Sequence, residues 1–188
     1  RELFLPKNYV SSAYSDHPLP LMDTGQTISA PHMTIMILEY LELKPGLRVL
    51  EVGAGSGYQA ALIAAAIKNG ENTGHIYSIE IVPKLVDFAR RNIRNAGYED
   101  LITVLEGDGT LGLPEEAPFD RIILTAAGPT LPPPLLEQLK IEGTLVMPLG
   151  RPGLFQTMTR FRKISEDEVL REVLTSVAFV PLRGKYGS

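Results

Sequence analysis

The sequence contains no cysteine in 188 residues. Disulfide bridges, thiolate metal sites and thiol nucleophiles are excluded together. It has no basic tract either: 18 Lys and Arg stand against 22 Asp and Glu, for a net charge of -4. Sequence-independent binding to nucleic acid draws on clustered cations, so nucleic acid is not an expected partner. No apolar run reaches the roughly 20 residues that span a bilayer; Ala60 to Ile67 comes nearest. No membrane partner is expected. No signal peptide is recognisable. With the absent cysteine, this leads us to expect a cytoplasmic protein. The 3 histidines, His17, His32 and His75, are too scattered for a metal site. A monomer is the working expectation. The first residue is Arg1 rather than Met, so the numbering is expected to begin inside a longer protein.

What is present is a globular composition, 44% apolar and 21% charged, with 17 Gly and 15 Pro to make turns. Length and composition suit one domain. After a Pro-punctuated opening, Met33, Met36, Ile37, Tyr40 and Leu41 recur at helical spacing and predict a helix. Ser29 or Ala30 is its expected N-cap, Pro31 its first residue, and Pro45-Gly46 its end. Strands are then expected at Arg48–Val52, His75–Glu80, Ile102–Leu105, Arg121–Thr125 and Thr144–Met147. Helices are expected at 57–68, 83–96 and 134–139 between them. This alternation predicts an α/β fold, a doubly wound, mostly parallel sheet with helices on both faces. After Gly150, segments Thr157–Ile164, Val169–Leu174 and Val177–Leu182 read as antiparallel strands that finish the sheet.

The chemistry concentrates where strands end. Glu51-Val52-Gly53-Ala54-Gly55-Ser56-Gly57 sits at the first strand-to-helix junction, where glycines let a ligand approach bare backbone. The spacing is G-x-G-x-G rather than the dinucleotide G-x-G-x-x-G. Glu51 would repel a pyrophosphate but attract the ammonium and sulfonium of S-adenosyl-L-methionine. The loop therefore favours that cofactor over NAD. Glu80 ends the next strand, where such sheets place the acid that accepts ribose hydroxyls. Asp108, in Gly107-Asp108-Gly109 after the third strand, is a candidate for the adenine amino group through its side chain or the adjacent backbone.

The chain resembles the protein-L-isoaspartate O-methyltransferase family along nearly its whole length. The most specific stretch is Gly25-Gln26-Thr27-Ile28-Ser29-Ala30-Pro31-His32-Met33. Asp16-His17-Pro18-Leu19-Pro20, the loop from Leu50 to Ala61, Tyr77–Glu80, Gly107–Gly109, Ala117–Ile123 and Val180-Pro181-Leu182 add to it. The resemblance implies S-adenosyl-L-methionine contacts at Gln26, Thr27, Ile28, Ser29, Ser56, Glu80, Ile81, Asp108 and Gly109, with S-adenosyl-L-homocysteine as product. It implies that Ser29 is the active-site hydroxyl, and that Val180 and Leu182 help hold the substrate, isoaspartyl-containing peptides and proteins. Residues 1–44 would then form a substrate-side segment, 45–150 the cofactor-binding core and 151–188 the C-terminal strands. Arg183 departs from the Ser or Thr usual in the family, which puts any contact through that hydroxyl in doubt. The activity implied is repair methylation of the free α-carboxylate of L-isoaspartyl residues. Alternatives are a methyltransferase of another substrate class, or a non-catalytic relative that binds the cofactor or a peptide.

Several of these residues also have plainer readings. Ser29 can be only a helix cap, and His32 either a substrate contact or a first-turn surface residue. Asp16 reads as a loop anchor, Asp120-Arg121 as a boundary charge pair and Glu166-Asp167-Glu168 as a solvated turn. Asn69-Gly70 is itself a dipeptide prone to isoaspartyl formation.

Overall fold

The computed structural model of the chain describes residues 1–69, 72–151 and 154–187. Gly70, half of the damage-prone dipeptide, lies outside them. The centre is a seven-stranded sheet. Its strands are β1 (Arg48–Val52), β2 (His75–Glu80), β3 (Ile102–Glu106), β4 (Phe119–Leu124), β5 (Leu139–Leu149), β6 (Gln156–Lys163) and β7 (Val169–Val177). They lie in the order β7-β6-β5-β4-β1-β2-β3. Pairing is parallel from β3 through to β5, and antiparallel at β5–β6 and β6–β7. The expected α/β sheet with antiparallel C-terminal strands is the fold observed.

Alternation along each strand sends side chains to two cores. Val49, Ile123 and Val146 join one, with α1 (Pro31–Leu41), α2 (Tyr58–Ile67) and α3 (Pro83–Asn95) packed on it through Ile37, Leu41, Ile63, Leu85 and Ile93. Leu50, Ile122, Leu124 and Leu145 join the other, which Leu135 of α4 (Pro133–Glu137) and Leu113 help to cover. The strand order reverses between β1 and β4. Connections to either side therefore leave a crevice at the C-terminal ends of these strands, where α/β proteins bind ligands.

The helix at Pro31 begins as expected, with Ala30 as N-cap, and ends in a left-handed Glu42. Its buried stripe is Thr34, Ile37 and Leu41, with Met33 and Tyr40 at the margin. Thr34 tolerates burial because its hydroxyl donates to the Ala30 carbonyl. The expected strand Val177–Leu182 does not form. β7 runs on to Val177, and the chain then leaves the sheet edge for a single parallel bridge between Pro181 and Ala127. A proline supplies no N–H, so a ladder cannot continue through it. The pairing Leu19–Pro20 with Thr27–Ile28 was not legible, because two-residue strands carry no periodicity.

The Asp120-Arg121 pair is also read differently. Asp120 accepts from the Lys140 ammonium at 2.7 Å and the Arg48 backbone at 2.8 Å. The buried Arg121 guanidinium instead donates to the Leu41 and Glu42 carbonyls, the free carbonyl end of α1. Arg121→Met should therefore leave those carbonyls unpaired and lower unfolding stability by about 2 kcal/mol, the scale of hydrogen bonds from a charged donor. Urea denaturation checks this; an unchanged midpoint contradicts it.

Candidate functional site

The crevice is a cleft of about 830 Å³, counting the space that opens to solvent. One wall is the turn Gly53–Ser56, with Ile79, Glu80, Ile81 and Val82 beside it. Gly53 has φ +99 and would drive a Cβ into the Thr125 hydroxyl, so only glycine fits there. That hydroxyl donates to the Gly53 carbonyl at 2.7 Å, while the Gly53 N–H donates to Ile79 at 2.8 Å. The turn is thus held from both neighbouring strands.

The Glu80 carboxylate accepts from the Gly55 N–H at 2.8 Å through one oxygen and from the Val82 N–H at 2.9 Å through the other. Each oxygen keeps accepting capacity, and the residue lines the cleft. Glu51, expected in the same wall, does not line it. It is fully buried beneath the turn, where one oxygen takes the Ser78 hydroxyl and the other has no partner among the described residues. Burial pushes its carboxyl up to about 8, the Ser78 hydrogen bond pulling down and the Glu80 charge pushing further up. Glu51 is accordingly neutral near pH 7. The reason is its register: Glu51 pairs with Ser78 and Ile123 between two central strands, with no path to the surface.

Asp108 differs from expectation in the same way. Gly109 lines the cleft and Asp108 does not. One Asp108 oxygen accepts from the Thr110 N–H at 2.9 Å and hydroxyl at 2.7 Å, the other from the Lys185 N–H at 2.7 Å. Burial works against its ionisation, but these hydrogen bonds prevail and hold the carboxyl below the usual carboxylate range.

The opposite wall is Gln26, Thr27, Ile28 and Ser29, closed by Val180–Arg183. Ser29 is half-buried, and no hydrogen bond ties its hydroxyl among the described residues; its carbonyl accepts from Arg1 at 2.6 Å. Since Ala30 is the N-cap, with no side-chain cap, the Ser29 hydroxyl is not spent on the helix. His32 is turned away. It is exposed, and both its N–H and its ring Nδ1, at 2.7 Å, meet Asp16, which anchors the start of α1. Tyr58, Gln59 and Thr125 also line the cleft; Tyr58 and Gln59 lie in the Leu50–Ala61 stretch but are not among the expected site residues, and Thr125 has no motif signal. The Gln59 amide nitrogen is buried there without a partner among the described residues.

A family model described as protein-L-isoaspartate(D-aspartate) O-methyltransferase matches residues 1–187. The chain belongs to the protein-L-isoaspartate O-methyltransferase family. A member from Hyperthermus butylicus is 50% identical, over the whole of this chain and 78% of its own length. One from Methanococcoides burtonii is 46% identical, over the whole of this chain and 89% of its own length. A solved protein-L-isoaspartate O-methyltransferase superposes on the full chain with TM-score 0.87 at 31% identity; this chain spans 59% of it. A Plasmodium falciparum family structure, solved with S-adenosyl-L-homocysteine, gives TM-score 0.84 at 29% identity, covering 97% of this chain and 85% of that one. The motif residues Gln26–Ser29, Gly53, Gly55, Ser56, Glu80, Ile81, Gly109, Val180 and Leu182 converge on the cleft of this family member. Glu51, His32 and Asp108 stand outside it, and Gly57 caps α2 behind the turn.

The buried Glu51 has a measurable consequence. Its folded value near 8 lies above its ordinary 4.5, so its contribution is full below about 4.5 and is lost as pH rises towards 8. Thermal midpoints of the wild type should fall between pH 5 and 8, and Glu51→Gln should flatten that slope. Parallel curves for the two proteins would contradict a neutral Glu51.

Proposed function

We propose that the protein transfers a methyl group from S-adenosyl-L-methionine to the free α-carboxylate of L-isoaspartyl residues in damaged peptides and proteins. One juxtaposition carries the reading. The glycine turn with Glu80 and the untied Ser29 hydroxyl face each other across a single cleft.

The residues present suit the cofactor. Glu80 has accepting capacity left for ribose hydroxyls. Gln59 offers an unpartnered donor to a carboxylate or hydroxyl. In this reading Gly53–Ser56 meets the amino-acid end, Ile81 and Gly109 the base, and Gln26–Ile28 the opposite side. The partnerless oxygen of Glu51 lies beneath that turn rather than in contact with the ligand. When bound, S-adenosyl-L-methionine supplies an electrophilic methyl group on a positive sulfur, and S-adenosyl-L-homocysteine remains as product.

The chain's own part is alignment. A carboxylate acceptor has a pKa of about 4 and is already ionised at pH 7, so no base must take its proton. That His32 is engaged with Asp16, away from the cleft, agrees with this chemistry. The Ser29 hydroxyl donates one hydrogen bond that aims the carboxylate. Ordering two reactants in this way supplies about 7–11 kcal/mol in favourable cases. Ile28, Val52, Ile79, Val180 and Leu182 make apolar wall that keeps water from the reacting groups. Val180 and Leu182 bond Ala127 through their backbone, which leaves the Pro181 carbonyl on the other edge to accept from a bound peptide. Contact through backbone suits an enzyme that meets many sequences. The main-chain nitrogen of the next residue then attacks the ester carbonyl and expels methanol to give succinimide without help, and its reopening by water returns some normal aspartate.

Isoaspartyl peptides and proteins are the partners in this reading. The absent cysteine supports a cytoplasmic setting. No helix among the described residues is long and apolar enough to cross a membrane. A methyl-release assay with an isoaspartyl peptide and its aspartyl twin tests the function. Only the first should be methylated; transfer to neither sinks the proposal. Ser29→Ala should cut turnover by about 10²-fold or more, as the loss of a positioned donor does elsewhere. Its affinity for S-adenosyl-L-homocysteine by calorimetry should stay close to wild type.

A further inference from the structure

The C-terminal wall of the cleft is pinned at three places. Gln156 exchanges two hydrogen bonds with the Phe179 backbone, at 2.7 and 3.2 Å. Ala127 exchanges two with Val180 and Leu182, both 2.8 Å. Asp108 receives the Lys185 N–H at 2.7 Å, and its neighbour Thr110 receives the Tyr186 N–H at 3.2 Å. The wall residues Val180–Arg183 lie between the first pin and the last. Arg183, exposed at the mouth, lies beyond the Ala127 pin, so among the described residues its far side is fixed by the Asp108 and Thr110 contacts.

We propose that Asp108 is a positioning residue: it clasps the C-terminal segment and so holds the peptide-facing wall in register with the turn after β3. The chemistry favours a carboxylate, since an ionised one accepts from several donors at once and offers none. Here it gathers three donors, two from Thr110 and one from Lys185. The fit from the other side is equally close. Gly184 has φ +125, and any Cβ on it would overlap the Asp108 carboxylate. A second glycine, Gly187, closes the turn by donating to the Gly184 carbonyl at 3.1 Å. Turn and carboxylate thus form a clasp whose halves are 76 residues apart, as Gly184 and Asp108 are numbered. The effect on peptide binding rests on the function proposed above; the clasp itself does not.

Two lesions approach it from opposite sides. Asp108→Asn turns one acceptor into a donor that faces N–H groups, and Gly184→Ala blocks the approach of the tail. Each should raise KM for an isoaspartyl peptide about tenfold, the weight of one charge-assisted hydrogen bond. Turnover at saturation should change much less, and the double variant should be no worse than the worse single one. Hydrogen exchange, which needs no substrate, should accelerate at the Leu182 and Lys185 amides in both variants. Asp108→Ser keeps the cap on Thr110 but cannot reach Lys185, so it should show the same exchange if Asp108→Asn fails to fold. Unchanged exchange and KM in Gly184→Ala overturn the clasp. So does an Asp108→Asn variant that loses affinity for S-adenosyl-L-homocysteine while Lys185 exchange stays slow. If the wild type fails to methylate the peptide, the function falls, and the exchange experiment still decides the clasp.

Discussion

The cleft depends on the way the Glu80 carboxylate joins two turns, taking the Gly55 N–H from the loop after β1 and the Val82 N–H from the loop after β2. Both N–H groups would otherwise face the crevice without partners, and an unpaired buried donor costs about 1–3 kcal/mol. With the carboxylate between them, two backbone segments from different strands become one surface. The Thr125 hydroxyl extends the same surface to β4 by holding the Gly53 carbonyl. A flexible glycine loop is made rigid by its neighbours, and its backbone is left bare towards the ligand side.

That arrangement sets two acids against each other. Glu80 and Glu51 lie on adjacent strands near the same turn, and the charge on one opposes ionisation of the other. Glu80 lines the cleft, and each of its oxygens takes a backbone N–H donor. Glu51, sealed between central strands with one hydroxyl donor, gives up its charge. One acid thus presents its carboxylate edge to the cleft, and the other lies buried beneath it.

The two walls are built by different means. The β1–β2 side is backbone held within the sheet, close in sequence and dense in hydrogen bonds. The other side comes from the two ends of the chain. Gln26–Ser29 contains the second strand of a short hairpin and leads into α1, whose start Asp16 anchors. Val180–Arg183 has left the sheet and is attached at isolated points. The function proposed above suits such a division, in which the cofactor meets a rigid turn and the peptide a wall attached at separate points.

The order of strands and helices, the antiparallel finish and the glycine turns were legible in the sequence. Each depends on local chemistry: periodicity, helix-starting prolines, and φ values open only to glycine. Of the residues that reach the cleft, Gly53, Gly55, Ser56, Glu80 and Gly109 were legible because strand ends and the loops after them share one edge of a parallel sheet, whereas Gln26–Ser29, Ile81, Val180 and Leu182 were expected from the family resemblance alone. Which way an individual acid or histidine points was decided only in three dimensions. Glu51 is sealed by strands that pair with it from residues 78 and 123, Asp108 is claimed by a tail 77 residues away, and His32 by Asp16. Tyr58 and Gln59 reach the cleft only because α2 packs as it does behind the turn. A local pattern specifies what a segment becomes. The direction of a polar side chain depends on the partner that satisfies it, and that partner is brought near by long-range pairing.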